Sequence, residues 1–175
     1  MKNLRFTLMA WPVITLVVIG LCALTDFVAK AYGIALPEQT QLKFVRELAG
    51  WNWKFAIVLA QVVVVAPLLE EFVFRYLLVR LPIRLLRLGG FGSFVTVTLG
   101  SAVFSAAHYL DFIALVKSHA LVWTPLSDAF VALFFFGLAQ CWLYAQTRRL
   151  VYPILNHALF NGANLALLFA LEALK

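Results

Sequence analysis

Apolar positions dominate this chain in five long blocks, at about residues 7–29, 53–81, 91–116, 126–146 and 150–171, with polar residues concentrated between them. About 20 mostly apolar residues suffice for a helix to cross the hydrocarbon core of a bilayer, and every block reaches that length. The pattern predicts an all-α fold, a polytopic transmembrane bundle of about five helices. The first block follows a short basic start, Lys2 and Arg5, and no small-x-small cleavage site follows its long apolar run, so it reads as an uncleaved anchor.

The segments between the blocks carry their own signals. At about residues 36–50, Pro37, Glu38, Lys43, Arg46 and Glu47 interleave with Leu42, Phe44, Val45 and Leu48. That spacing predicts a short interfacial amphipathic helix ending at Gly50, with Trp51 and Trp53 at headgroup level. Pro82, Arg84, Arg87 and Gly89-Gly90 predict a basic turn, and Arg148-Arg149 a tighter one. Ser127 or Asp128 is placed to cap the fourth helix. No Pro/Gly/Ser-rich linker, repeat or low-complexity tract divides the chain, so residues 1–175 read as one transmembrane domain.

Composition agrees with this reading. Of the residues, 64% are hydrophobic and 13% charged, whereas soluble domains run to about half apolar and a quarter charged. The formal net charge of +6 does not mark a nucleic-acid partner, because the basic residues lie between apolar spans, where they set topology. Cys22 and Cys141 sit inside apolar blocks without CxxC spacing, which argues against a zinc knuckle or a disulfide framework.

Three of the blocks hold groups that are costly in lipid. Glu70, Glu71 and Arg75 interrupt the second block, and each mid-bilayer charge costs about 3 kcal/mol on insertion scales. Glu71 and Arg75 are four apart with the acid first, the favourable order for a helical ion pair. Glu70 points about 100° away around the helix and lacks that partner. Such a pair can serve simply to position neighbouring helices; the sharper reading makes Glu71–Arg75 the scaffold and Glu70 the working carboxylate. His108 lies deep in the third block, while His157 and Asn161 share one face of the fifth. A lone histidine or asparagine in a membrane helix often serves as interhelical glue. Counting about 1.5 Å per residue puts Glu70, His108 and Asn161 about 15–25 Å deep, so one shared polar cavity is the simplest way to tolerate them all. Asn164 shares the face of Asn161, Asn156 flanks the motif, and His119 reads as a solvated loop residue.

Glu70-Glu71-x-x-x-Arg75, Phe104-x-x-x-His108 and His157-x-x-x-Asn161, in that order on successive helices, resemble the signature of the CAAX-protease and bacteriocin-processing family of Abi and CAAX prenyl endopeptidase type. Phe134-x-x-Gly137-x-x-x-Cys141-x-x-Tyr144 is similar to a further, weaker element of that family, with small residues where helices approach closely. The resemblance covers about residues 53–171 and implies a four-helix catalytic core and an intramembrane glutamic peptidase. It implies that Glu70, helped by His108, activates water, and that His157 and Asn161 bind the substrate carbonyl and its oxyanion, with Glu71, Arg75 and Phe104 supporting the site. No cofactor is implied. The substrate would be a membrane-anchored or lipidated protein or peptide tail, the lipids of a bacterial inner membrane the surroundings, and nucleic acid no partner. Two other readings use the same residues: a zinc metallopeptidase with Glu70, His108 and His157 as ligands, and a non-catalytic immunity or scaffold protein. A degenerate member of the second kind should have lost one of Glu70, His108 or His157, and all three are present.

The Lys and Arg residues of the short turns assign orientation. With the N-terminus cytoplasmic, the inner segments hold Lys2, Arg5, Arg80, Arg84, Arg87, Arg148 and Arg149, while the outer ones hold Lys117 and Lys175 together with the basic residues of the long first loop. Topology reporters fused after Leu88 and after Ser118 should therefore report cytoplasm and exterior respectively; the reverse pattern would invert the assignment.

Overall fold

A computed structural model describes residues 2–37, 53–110, 118–119 and 121–174. Five helices are long and apolar enough to cross a membrane: α1 (Lys2–Ala31), α2 (Trp53–Leu85), α3 (Gly90–Ala107), α4 (Ala129–Thr147) and α5 (Val151–Ala173). The predicted interfacial helix, Trp51 and Lys117 lie outside the described residues, as do positions 111–117.

The helix ends follow from local chemistry. Arg87 (φ 48°) closes α2 and Arg148 (φ 58°) closes α4, both in the left-handed region, and the Arg148 N–H reaches back to Tyr144 O at 2.8 Å. Pro153 stands in the first turn of α5, where a missing N–H costs nothing. At the start of α4, Asp128 holds the capping position without a side-chain hydrogen bond; Ser127 Oγ instead accepts from the Ala129 N–H at 3.2 Å.

The helix of the third apolar block ends at Ala107, short of the expected residue 116. Beyond Ala107 the backbone tightens, with Tyr109 N–H donating to Ala106 O at 2.9 Å and Leu110 N–H to Ala107 O at 3.2 Å. The carbonyl of Tyr109, which a continuing helix would offer to its own next turn, accepts the Thr124 N–H at 2.8 Å. The Tyr109 hydroxyl meets Ser127 Oγ at 2.8 Å. These bonds fasten the end of α3 to the chain entering α4, and they leave His108 at the helix end rather than within it.

In the bundle, α4 packs against α1, α3 and α5, while α2 packs against α3 and α5 on the side away from α1. Small residues permit the closest approaches. A Cβ on Gly137 would come within 3.0 Å of Ser101 Cβ, and one on Gly100 within 2.5 Å of Val79 Cγ2, so α3 lies tightly against α4 and α2 as small residues in membrane helices allow. Ile14, Val18, Phe104, Tyr109, Ala132, Leu133, Phe136 and Phe160 form one apolar core drawn from α1, α3 and the turn that follows it, α4 and α5.

Polarity runs from inside to outside in the reverse of a water-soluble fold. Glu71, Arg75, Ser101, Ser105, Gln140 and Asn156 are fully buried, while Met9, Leu16, Phe27 and Phe91 are largely exposed. In a hydrocarbon solvent that is the low-energy arrangement, since polar side chains must find partners inside the bundle.

Candidate active site

The site begins with an irregularity in α2. Gln61–Val65 and Glu71–Arg80 are π-helical, and the single α-helical stretch Ala66–Glu70 lies between them. Pro67 is compatible with the first of these, because its ring excludes the residue-to-fourth-residue hydrogen bond and crowds the preceding turn. π-turns inside α-helices recur at functional sites because they re-aim the side chains that follow them. Here the two glutamates stand at the junction, Glu70 closing the α-helical stretch and Glu71 opening the second π-segment.

Glu71 is fully buried, as is Arg75, and the two form the expected ion pair, with Arg75 Nε 3.1 Å from Glu71 Oε2. The contact is one of charge rather than an aligned hydrogen bond. The guanidinium also lies over the Phe104 ring, 4.6 Å from its centroid, a cation–π contact that strengthens when desolvated. The other Glu71 oxygen accepts from His157 Nδ1 at 2.9 Å. Because a carboxylate accepts, His157 carries a proton on Nδ1, and its Nε2 faces away from Glu71.

That nitrogen faces Glu70. His157 Nε2 lies 3.7 Å from Glu70 Oε2, and His108 Nε2 lies 3.8 Å from the same oxygen. His108 is oriented by its own helix: its Nδ1 meets Phe104 O at 2.9 Å, and a carbonyl only accepts, so Nδ1 again holds the proton. Both rings thus turn an Nε2 toward one carboxylate oxygen that is buried and has no hydrogen-bond partner. Phe104 stands at the centre, edge-on to His108 with centroids 4.6 Å apart and to His157 at 6.1 Å. The structure therefore brings Glu70, Glu71, Arg75, Phe104, His108 and His157 into one contiguous cluster from α2, α3 and α5.

Asn161 is placed differently. Its Nδ2 donates to Val62 O at 2.8 Å, which ties α5 to the first π-segment of α2. Asn164 spends its amide on Phe160 O at 3.0 Å, within its own helix, and His119 is exposed. Sequence reasoning missed Phe136, which stacks on Phe160 with centroids 4.4 Å apart and meets His157 edge-on at 4.9 Å. It also missed Gln140, fully buried on α4; a glutamine in the middle of a block this apolar was the available signal. Among the described residues, no group of three or more His, Cys, Asp or Glu side chains is gathered so as to hold a metal ion.

Compared with known families, residues 51–163 match the family model described as Type II CAAX prenyl endopeptidase Rce1-like. The matched stretch contains every member of the cluster, and Asn161. No curated protein and no solved structure matches the chain.

The geometry separates the two glutamates experimentally. Glu71→Gln or Arg75→Leu strands a buried charge, which costs about 3–5 kcal/mol, so either variant should lose thermal stability in detergent or fail to accumulate. Unfolding midpoints equal to that of the parent protein would refute a scaffold role for the pair.

Proposed function

Because the chain belongs to the Rce1-like family of type II CAAX prenyl endopeptidases, we propose that it is an intramembrane endopeptidase in which Glu70 activates water and the two histidines manage the charge that develops. The chain is an integral, multi-pass membrane protein, and its family cleaves membrane-associated, prenylated protein tails. The observation that carries the mechanism is the convergence of two imidazole Nε2 atoms, at 3.7 and 3.8 Å, on one buried and unpartnered Glu70 oxygen.

In this reading Glu70 takes a proton from water as the oxygen attacks the scissile carbonyl, forming the new C–O bond. With Nδ1 already protonated, His157 or His108 donates from Nε2 only as an imidazolium, and in that form its second N–H meets the resulting oxyanion, as donors fixed in advance do in a site of low dielectric. When the C–N bond breaks, Glu70 returns its proton to the leaving amine, so the site ends as it began. Glu71 cannot easily replace Glu70, because Arg75 and His157 already occupy its two oxygens. The resemblance adds Asn161 as an oxyanion donor; in the structure one of its N–H groups is committed to Val62 O.

The surroundings are consistent with the family's substrate class. On the helix that carries Glu70, Val65, Leu68, Leu69 and Phe72 are exposed, which suits a chain delivered from the lipid by its own apolar anchor. On a farnesylated peptide in lipid nanodiscs, Glu70→Gln should abolish cleavage while expression and unfolding stay near those of the parent. His108→Ala should slow turnover by about 10²–10³, the usual cost of one such group. Full activity of Glu70→Gln on a peptide that the parent cleaves would defeat the assignment.

A zinc reading draws on the same convergence, with Glu70, His108 and His157 as ligands. Both histidines anchor Nδ1 on acceptors, as metal-bound histidines do. Tetrahedral zinc with bonds of about 2.0–2.1 Å spaces its ligands about 3.3 Å apart, a few tenths of an ångström closer than the observed Nε2–Oε2 separations. Using Glu70 as a ligand would also leave no unoccupied general base. Elemental analysis of active, purified protein should accordingly find zinc well below one per chain, and activity should survive strong chelation. Stoichiometric zinc, lost with activity and restored with it, would transfer the mechanism to the metal.

A further inference from the structure

The bond from Asn161 to Val62 has a cause in the sequence of α2. Within the first π-segment, Ala66 donates its N–H to Gln61 O, five residues back, rather than to Val62 O. The next donor in the same register would be residue 67, reaching Val62 O. Residue 67 is proline and has no N–H. Neither the α-helical nor the π-helical partner of Val62 O is therefore available, and the carbonyl lies inside a membrane helix where an unmade hydrogen bond is expensive. Asn161 Nδ2 supplies the missing donor at 2.8 Å. The next residue of α5, Gly162, brings its backbone close to the Val63 side chain, so that a Cβ there would meet Val63 Cγ1 at 3.9 Å.

We infer that Asn161 is a positioning residue: it locks the register of the π-turn that precedes Pro67 in α2, and so sets the direction in which Glu70 points. Glu70 closes the short α-helical stretch that begins at Ala66, immediately beyond the π-turn. A slip of one residue in helical register turns everything beyond it by about 100°, which would carry Glu70 away from both imidazoles. The lock also couples the two halves of the site, because Asn161 and His157 lie one turn apart on α5. The tie thus fixes α2 on one side of Glu70, while His157 fixes it on the other through Glu71. For its kinetic consequence the inference rests on Glu70 being the base proposed above; the bond itself does not depend on that proposal.

The test exploits proline. Pro67→Ala restores an N–H in the position that would reach Val62 O, and should make Asn161 dispensable. The parent, Asn161→Ala, Pro67→Ala and the double variant are compared in lipid nanodiscs, using a farnesylated peptide and thermal unfolding. Asn161→Ala should lower kcat on the order of 10²-fold, the scale of a misplacement of about 1 Å, with KM little changed. It should also lower the unfolding midpoint. Pro67→Ala keeps the Asn161 bond and adds an N–H that reaches Val62 O in the same π-register, so it should stay near the parent in both measurements. The double variant, held in that register by the new N–H, should recover most of the lost kcat and midpoint. A double variant as slow as Asn161→Ala, with its midpoint nonetheless restored, would show that Asn161 acts on the substrate itself and would overturn the inference. If Pro67→Ala is itself inactive, or no variant cleaves the peptide, the unfolding cycle decides alone. A loss on removing Asn161 that is the same whether or not Pro67 has been replaced refutes the lock; a loss confined to the chain that retains Pro67 upholds it. Absence of cleavage by the parent would count against the proposed peptidase activity and leave that cycle readable.

Discussion

A carboxylate and a guanidinium, both wholly removed from solvent within a bundle whose outer surface is hydrocarbon-like, constrain everything around them. Glu71 and Arg75 are tolerable there only as a pair, and a pair removed from water needs further hydrogen bonds and polarisable contacts to offset desolvation. Each of those contacts recruits another element. His157 comes from α5 to the free Glu71 oxygen, and Phe104 from α3 lies under the guanidinium. Three helices are thereby held by one ion pair, and the orientation of His157 is a by-product of satisfying Glu71. The ring that neutralises a structural cost on one edge presents an aimed nitrogen on the other.

The neighbouring glutamate gains its distinct character from backbone geometry. Adjacent residues on a helix point in different directions, so one of two consecutive acids can be committed to the scaffold and the other released. The π-turns of α2 refine that division. They cost hydrogen-bond regularity, and in lipid such irregularity survives only where the protein repairs it. The first π-turn is repaired from α5 by Asn161, and the second carries the ion pair itself. Both irregularities are thus stabilised by the helix that also carries His157, and α5 sets where both glutamates stand.

What could be read from the sequence was whatever depends on spacing. Five blocks of sufficient length gave five helices, and the separation of Glu71 from Arg75 gave their pairing. The four-residue step from His157 to Asn161 gave a shared helix face, although not the fact that Asn161 is tied to Val62 O on α2. What could not be read depends on partners distant in the chain. The helix of the third block stops at Ala107 because Thr124 takes the Tyr109 carbonyl, a bond invisible to any count of apolar residues. The π-turns were likewise hidden, since a proline inside a membrane helix announces a disturbance without saying whether a kink or a widened turn will absorb it. His157 was read through the resemblance as a group that meets substrate; its bond to Glu71 required the two helices to be seen together.

The family match begins at residue 51, beyond α1, yet α1 is not peripheral to the packing. Ile14 and Val18 belong to the same apolar core as Phe104, Phe136 and Phe160. Asn3 also donates to Thr147 O at 3.2 Å, closing the end of α4. This helix lies against α4 and α5, the two elements that stand behind the site, and not along α2, which carries the carboxylates. The consequence is mechanical. Support comes from the α1 side through interdigitated apolar side chains, whose close packing resists displacement. The glutamate helix keeps one flank toward lipid, where Leu68, Leu69 and Phe72 are exposed. The proposed cleavage of an anchored tail would use that asymmetry, with a stiff back to hold the imidazoles in register and an apolar flank beside Glu70.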